Sequence, residues 1–150
     1  MTITEKISLD MTAAMKSREQ FRLETLRTIR AGLLEKQVEK RPAGGVKEED
    51  EIAVLMQAAK KRKEASAIYR QNNRPELAEQ EEKELEIIQE YLPKQLSEAD
   101  VLEKVRQIIA GSGAASPADF GKIMPLVMKE LKGKADGKMI QETVKRLLGA

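Results

Sequence analysis

The sequence contains no cysteine, no histidine and no tryptophan, and only 3% of its residues are aromatic. Without cysteine and histidine, the chain lacks the usual zinc ligands and the imidazole and thiol groups of Ser-His and Cys-His nucleophile pairs. No apolar run approaches the roughly 20 residues that a membrane-spanning helix needs. Any catalysis would therefore depend on carboxylates, Lys, Ser, Thr or Tyr, and we expect no membrane association.

The core must be built from aliphatic side chains, because aromatic residues are so few. The chain has 150 residues, of which 41% are hydrophobic and 35% charged, a composition typical of globular proteins. Cores of Leu, Ile, Val, Met and Ala favour helices. The N-terminal residues MTITEKISLD lack the basic and apolar regions of a secretory signal, so we expect a cytoplasmic protein.

The formal net charge of +2 is too small to identify a nucleic-acid partner by itself. Its distribution is uneven. Residues 1–92 carry 17 basic and 18 acidic side chains, whereas residues 93–150 carry 10 basic and 7 acidic ones. The positive excess therefore lies in the smaller, C-terminal part.

Four stretches of the first 92 residues place apolar side chains at helical spacing, with short polar connections between them. Four helices joined in this way favour an antiparallel four-helix bundle. The four series are Ile3, Ile7, Met11, Ala14 and Met15; Leu23, Leu26, Ile29, Leu33, Leu34 and Val38; Val54, Leu55, Ala58, Ala65 and Ile68; and Leu77, Leu85, Ile88 and Leu92.

Charged clusters in this part have two interpretations. The basic residues of the second stretch point in different directions, and the basic run at 60–63 spans most of a helix circumference. Each set is therefore either a solvated or ion-paired surface or a binding site for a partner. The acidic run at 47–51 is expected to stabilise a helix N-terminus and not to bind a metal, because adjacent carboxylates diverge.

The stretch from Ile87 to Asp100 divides the chain. Pro93 cannot continue the preceding helix, and Ser97 with Asp100 predicts the N-terminus of the next one. We therefore predict two domains, residues 1–93 and 94–150. The connection is either an ordinary interhelix loop or a hinge that lets the domains reorient.

Three further helices are predicted after the divide. The first begins at Ser97 and ends at 111–113; the second begins with Ser116 and Pro117 and contains Pro125, which predicts a kink; the third begins at Asp136. Together they predict a three-helix bundle. The overall fold class is all-α, with an N-terminal four-helix bundle and a C-terminal three-helix tail bundle.

The turn before the last helix carries Lys132, Lys134 and Lys138. Lysine ammonium groups beside the N–H groups of a helix N-terminus bind phosphate oxygens well, although Asp136 opposes that charge. From spacing alone, the turn is either a plain helix connection or an anion site.

The segments EYLP, LSEAD, FGKIM and GKADGKMIQETVKRLL, together with RLETLRTIRAGLLEKQVEKR in the first part, resemble the GatB/YqeY family. The likeness covers the whole chain, which is similar to the stand-alone YqeY-like members of the family. The C-terminal part resembles the tail domain of the B subunit of the glutamine-dependent tRNA amidotransferase, a carbon-nitrogen ligase that uses glutamine as amido donor. The resemblance implies two helical bundles and a tail domain that contacts tRNA.

The ATP- and metal-binding cradle and the Ser-Lys glutaminase machinery of the amidotransferase have no counterpart here. We therefore expect an RNA-binding accessory protein that is not an enzyme by itself and has no cofactor, no metal and no DNA partner. The expected tRNA-binding residues are Lys132, Lys134, Lys138, Lys122, Lys145 and Arg146, with Asp136 as the helix cap at the turn. The alternative is a protein-interaction module that docks on an amidotransferase or aminoacyl-tRNA synthetase.

Overall fold

The computed structural model describes residues 1–149, which contain seven α-helices and no β-strand. The all-α prediction is confirmed. The helices are α1 (Ile3–Ser17), α2 (Gln20–Lys40), α3 (Glu48–Gln71), α4 (Pro75–Gln89), α5 (Glu98–Ser112), α6 (Phe120–Leu131) and α7 (Gly137–Leu147). Short 3-10 turns follow α2 at Arg41–Ala43 and precede α6 at Pro117–Asp119.

The chain forms two compact units, unit 1 (Met1–Leu92) and unit 2 (Pro93–Ala150). Unit 1 contains α1 to α4, and its core consists of side chains from all four helices. None of the helices in residues 1–149 is both long and apolar enough to cross a membrane. That residues 1–93 and 94–150 form two separately stable domains remains a prediction.

The core of unit 1 follows the predicted apolar series. Ile7, Leu26, Leu55 and Ile88, one from each helix, are fully buried. The most extensive helix pairing in the unit joins α3 to α4. Burial of such side chains stabilises the fold by roughly 1.5 to 3 kcal/mol each. Because helical spacing places these residues on one face of each helix, it predicts that the helices pack together as a bundle.

Some members of the apolar series are nevertheless exposed. Ile68 belongs to the apolar series of the third helix, whose members are expected to face the core, but it is 56% exposed. The reason is that α3 turns Ser66 and Arg70 toward α4, where both bind the carboxylate of Glu82. Ile68 lies about 200° from Ser66 around the helix, so it faces away from α4.

The acidic run at the start of α3 has two different roles. The N–H of Lys47 donates to the carboxylate of Asp50 at 2.9 Å, which is the predicted capping role. Glu51 instead is buried and accepts bonds from the backbone N–H and the hydroxyl of Thr4, at 2.8 and 2.7 Å. These two bonds join α3 to the first turn of α1 and compensate the burial of the carboxylate.

A polar cluster closes the end of unit 1 that leads to Pro93. The hydroxyl of Tyr91, which is 7% exposed, donates to Asp10 of α1. Arg22 of α2 donates to Glu90 at 2.7 Å and to the Tyr91 hydroxyl at 3.4 Å. The residues just after α4 are thereby bound to both α1 and α2.

Unit 2 is a three-helix bundle with its own core. The buried side chains of this core are Val101 and Val105 of α5, Ile123, Val127 and Leu131 of α6, Ala135 between α6 and α7, Ile140 and Val144 of α7, and Leu148. The predicted starts are confirmed: Ser97 and Asp100 form a reciprocal capping box at α5, and Ser116 with Asp119 forms one ahead of α6. Helix α6 continues through Pro125.

Two matched core substitutions test whether the units are separately stable. Leu26→Ala in unit 1 and Leu131→Ala in unit 2 each remove a fully buried side chain and should cost about 2 to 5 kcal/mol. Amide hydrogen exchange should accelerate in α1 to α4 for the first variant and in α5 to α7 for the second. Equal acceleration in both units for either variant would mean that the chain unfolds as one body.

The Tyr91 cluster gives a pH-dependent prediction. Burial, and then the hydrogen bond to Asp10, raise the pKa of Tyr91 well above its ordinary value. The unfolded chain ionises this phenol near pH 10, so the stabilisation by Tyr91 is complete below about pH 10 and is lost as the pH rises further.

Tyr91→Phe should therefore lower the free energy of unfolding by about 1 to 2 kcal/mol at neutral pH. The gap from the parent should narrow above about pH 10, because only the parent stabilises the protonated phenol. Urea unfolding between pH 7 and pH 11 measures this, and a gap that stays constant over the range would contradict the assignment.

Candidate nucleic-acid interface

The predicted RNA-binding residues all lie on α6, α7 and the turn between them. The ammonium of Lys145, near the end of α7, lies 5.6 Å from the centre of the Phe120 ring at the start of α6. The start of α6 and the end of α7 are therefore neighbours, and the two helices form an antiparallel hairpin. At 1.5 Å per residue, the hairpin is roughly 18 Å long.

The turn at the other end of this hairpin, residues 132–138, is called the lysine turn below. Lys132 is the C-terminal cap of α6, and Gly133 has a φ of 81°, a conformation common in the residue after a helix end. The N–H of Lys134 donates to Leu131 at 3.0 Å. Ala135 is buried in the core of unit 2, so the turn is anchored from within.

Asp136 is the N-cap of α7, as predicted, and its carboxylate accepts the N–H of Lys138 at 3.4 Å. The acidic side chain thus occupies part of the helix N-terminus that an anion would otherwise approach. A phosphate near the lysine turn would be bound by the lysine ammonium groups more than by the backbone.

Two residues outside the hairpin bind the lysine turn, and no sequence pattern predicted either contact. The side-chain amide of Gln95 donates to the carbonyl of Gly133 at 2.8 Å. The N–H of Leu96 donates to the carbonyl of Lys134, also at 2.8 Å. Both contacts join residues about 38 positions apart in the sequence. Periodicity and capping rules relate only residues that are a few positions apart, so they do not predict these contacts.

The six predicted side chains are all exposed, and the hairpin separates them into two groups. Lys132, Lys134 and Lys138 lie at the lysine turn. Lys122 in the first turn of α6 lies at the opposite end, with Lys145 and Arg146 in the last turn of α7. One RNA segment would have to run along the hairpin to meet both groups.

A family model described as Yqey-like protein matches residues 4–148. The chain belongs to the YqeY-like family. No curated protein matches the sequence. The family assignment agrees with the resemblance seen in the sequence and covers both units.

Basic residues outnumber acidic ones on the hairpin of this YqeY-like protein. Residues 120–149 contain seven basic side chains, at positions 122, 129, 132, 134, 138, 145 and 146, and three acidic ones, at 130, 136 and 142. Lys129 was not predicted as a site residue, yet it is exposed and lies seven residues after Lys122, on the same side of α6. Its helical spacing could have identified it.

The positive surface is not continuous along α7. Glu142 is exposed and lies between Lys138 and Lys145 on the same side of the helix, because four and seven residues bring a helix almost back to the same direction. The two basic groups are thus separated by an acidic side chain.

The start of α6 contains a carboxylate that stays ionised. Hydrogen bonds from the backbone N–H groups of Ala115 and Ser116 lower the pKa of Asp119, and the charge of Lys122 lowers it further. Lys122 therefore has an acidic neighbour, which reduces its attraction for phosphate relative to the lysines of the turn.

A catalytic metal centre has no candidate in the part of the chain that the structure describes. No group of three acidic side chains there is arranged to hold a metal ion. The arrangement on the hairpin is suited to electrostatic contact with an anionic partner.

The capping role of Asp136 is testable by Asp136→Ala. The variant should lose about 1 kcal/mol of stability, because an N-cap acceptor at α7 is removed. Urea unfolding measures this cost. A variant as stable as the parent would show that the bond from Lys138 does not stabilise the helix start.

Proposed function

We propose that this YqeY-like protein is a tRNA-binding accessory protein related to the tail of the glutamine-dependent tRNA amidotransferase. In this proposal the protein is not catalytic by itself. The tail bundle, unit 2, holds tRNA through the lysine turn, and Lys122, Lys145 and Arg146 make further contacts at the other end of the hairpin.

The observation that carries this proposal is the concentration of exposed basic side chains on one hairpin of a nearly neutral protein. The formal net charge of the whole chain is only +2, so long-range attraction is weak and local charge must provide the binding. Lysines on flexible stems suit contacts to phosphate oxygens, which position an RNA without reading its bases.

Contacts to bases would need a different surface. Sequence-specific RNA recognition depends largely on stacking with aromatic or arginine side chains. The hairpin offers one exposed arginine, Arg146, and one half-buried phenylalanine, Phe120, whose ring lies under the Lys145 ammonium. The proposal is therefore of backbone binding, with similar affinity for different tRNAs.

The alternative, docking on an amidotransferase or synthetase, is favoured by the many acidic side chains between Glu76 and Glu90, in and just after α4. Part of that acidity is neutralised within unit 1. Arg70 binds Glu82 at 2.8 Å, and Arg62 lies 3.3 Å from Glu84. These ion pairs reduce the charge that α4 offers to a basic partner, which favours the RNA proposal.

The triple variant Lys132→Gln, Lys134→Gln and Lys138→Gln tests the proposal. It should weaken binding to every tRNA by a similar factor. The slope of log affinity against log salt concentration should become shallower by up to about three phosphate contacts, at roughly 0.7 to 0.9 per contact. Folding should change little, since exposed substitutions usually cost within about 0.5 kcal/mol.

The control replaces Lys16, Lys83 and Lys104, which are exposed on α1, α4 and α5, by glutamine. It changes the net charge equally and should leave the salt slope nearly unchanged. Asp136→Ala should move affinity the other way, because it removes a negative charge from the turn. The proposal fails if the triple variant binds tRNA with the parent's affinity and salt slope, or if duplex DNA binds as well as tRNA.

A further inference from the structure

The segment before α5, residues 93–96, belongs to unit 2, has no regular secondary structure and is hydrogen-bonded to the lysine turn. Gln95 uses its side-chain amide twice, donating to the carbonyls of Pro93 and Gly133, each at 2.8 Å. Both N–H groups of that amide therefore have acceptors. The bond to Pro93 fixes the side chain in the direction of the turn.

The backbone of the segment continues this connection. Leu96 donates its N–H to the carbonyl of Lys134 at 2.8 Å, and its side chain packs on the core of unit 2. The next residue, Ser97, caps α5 with Asp100. The two successive carbonyls of Gly133 and Lys134 are thus bound by two successive residues, 95 and 96, whose own position is set by the α5 cap.

These bonds determine how the lysines are presented. Lys132 and Lys134 flank Gly133, whose positive φ lies in the left-handed region that mainly glycine adopts. If the carbonyls were released to water, the turn could adopt other conformations, and binding would carry the cost of ordering it again. A turn held before binding avoids that cost.

We infer that Gln95 is a positioning residue for phosphate binding, holding the lysine turn in its binding conformation without itself contacting RNA. This inference rests on the proposed function of the turn. It extends the functional unit beyond the hairpin to the segment 93–96, and it predicts that a side chain with no charge and no RNA contact controls affinity.

The test is Gln95→Met, which keeps the length of the side chain and removes both donors. The N–H of Leu96 should exchange faster with solvent in this variant, because its acceptor on Lys134 is no longer held in place. Affinity for tRNA should fall about three- to tenfold, the effect expected from one hydrogen bond. The plot of log affinity against log salt should shift in parallel with that of the parent, since all lysines remain.

The matched control is Gln107→Met, which removes an exposed glutamine amide of α5 that bonds only within its own helix, to Glu103. It should leave tRNA affinity unchanged. The second control places Gln95→Met in the triple lysine variant, where it should weaken binding no further, because its effect acts through the lysines.

Each result decides the inference. It is overturned if Gln95→Met binds tRNA within a factor of about two of the parent, or if the loss is the same in the triple lysine variant, which would indicate a general structural effect. If the triple lysine variant itself binds normally, the proposed function fails and the role of Gln95 in binding fails with it. If the triple variant binds weakly and Gln95→Met does not, only the positioning role is wrong.

Discussion

Gln95 and Leu96 bind the backbone carbonyls of Gly133 and Lys134. The proposed binding of tRNA by the lysine turn depends on these two contacts. They fix the turn of the α6–α7 hairpin to the start of α5, and therefore fix where the lysines of that turn emerge. The core beneath contributes the same restraint through buried Ala135. A loop with the same sequence but without these bonds would carry the same charge and would pay a larger ordering cost on binding.

Local rules explain most of what the sequence predicted correctly. The capping residues Ser97, Ser116 and Asp136 act within three residues of themselves, and the apolar spacing of the helices depends only on the 3.6-residue turn. The all-α class and the two bundles followed from these signals together with the family resemblance.

The residues whose surroundings were not predicted have one thing in common. Their surroundings depend on partners that are distant in the sequence. Ile68 is exposed because α4 packs on the side of α3 that carries Ser66 and Arg70. Glu51 is buried because Thr4, 47 residues away, supplies two donors. Gln95 was unremarkable in the sequence because its acceptor on Gly133 is 38 residues away.

The candidate interface was predicted less completely than the fold. The predicted lysines are exposed and cluster on one hairpin, but the sequence did not predict their division into two groups or the inclusion of Lys129. The binding role of these residues remains a proposal supported by charge, exposure and family membership. Lys145 illustrates the limit of charge alone, since its ammonium is partly engaged by the Phe120 ring.

An NMR titration of the full chain with tRNA, followed at the backbone amides of both units, shows which residues the RNA contacts. We expect the largest chemical-shift changes at residues 132–138, with smaller ones near Lys122 and Lys145 at the opposite end of the hairpin. Changes confined to α1 to α4, or the absence of any change at the lysine turn when tRNA is bound, would contradict the proposal.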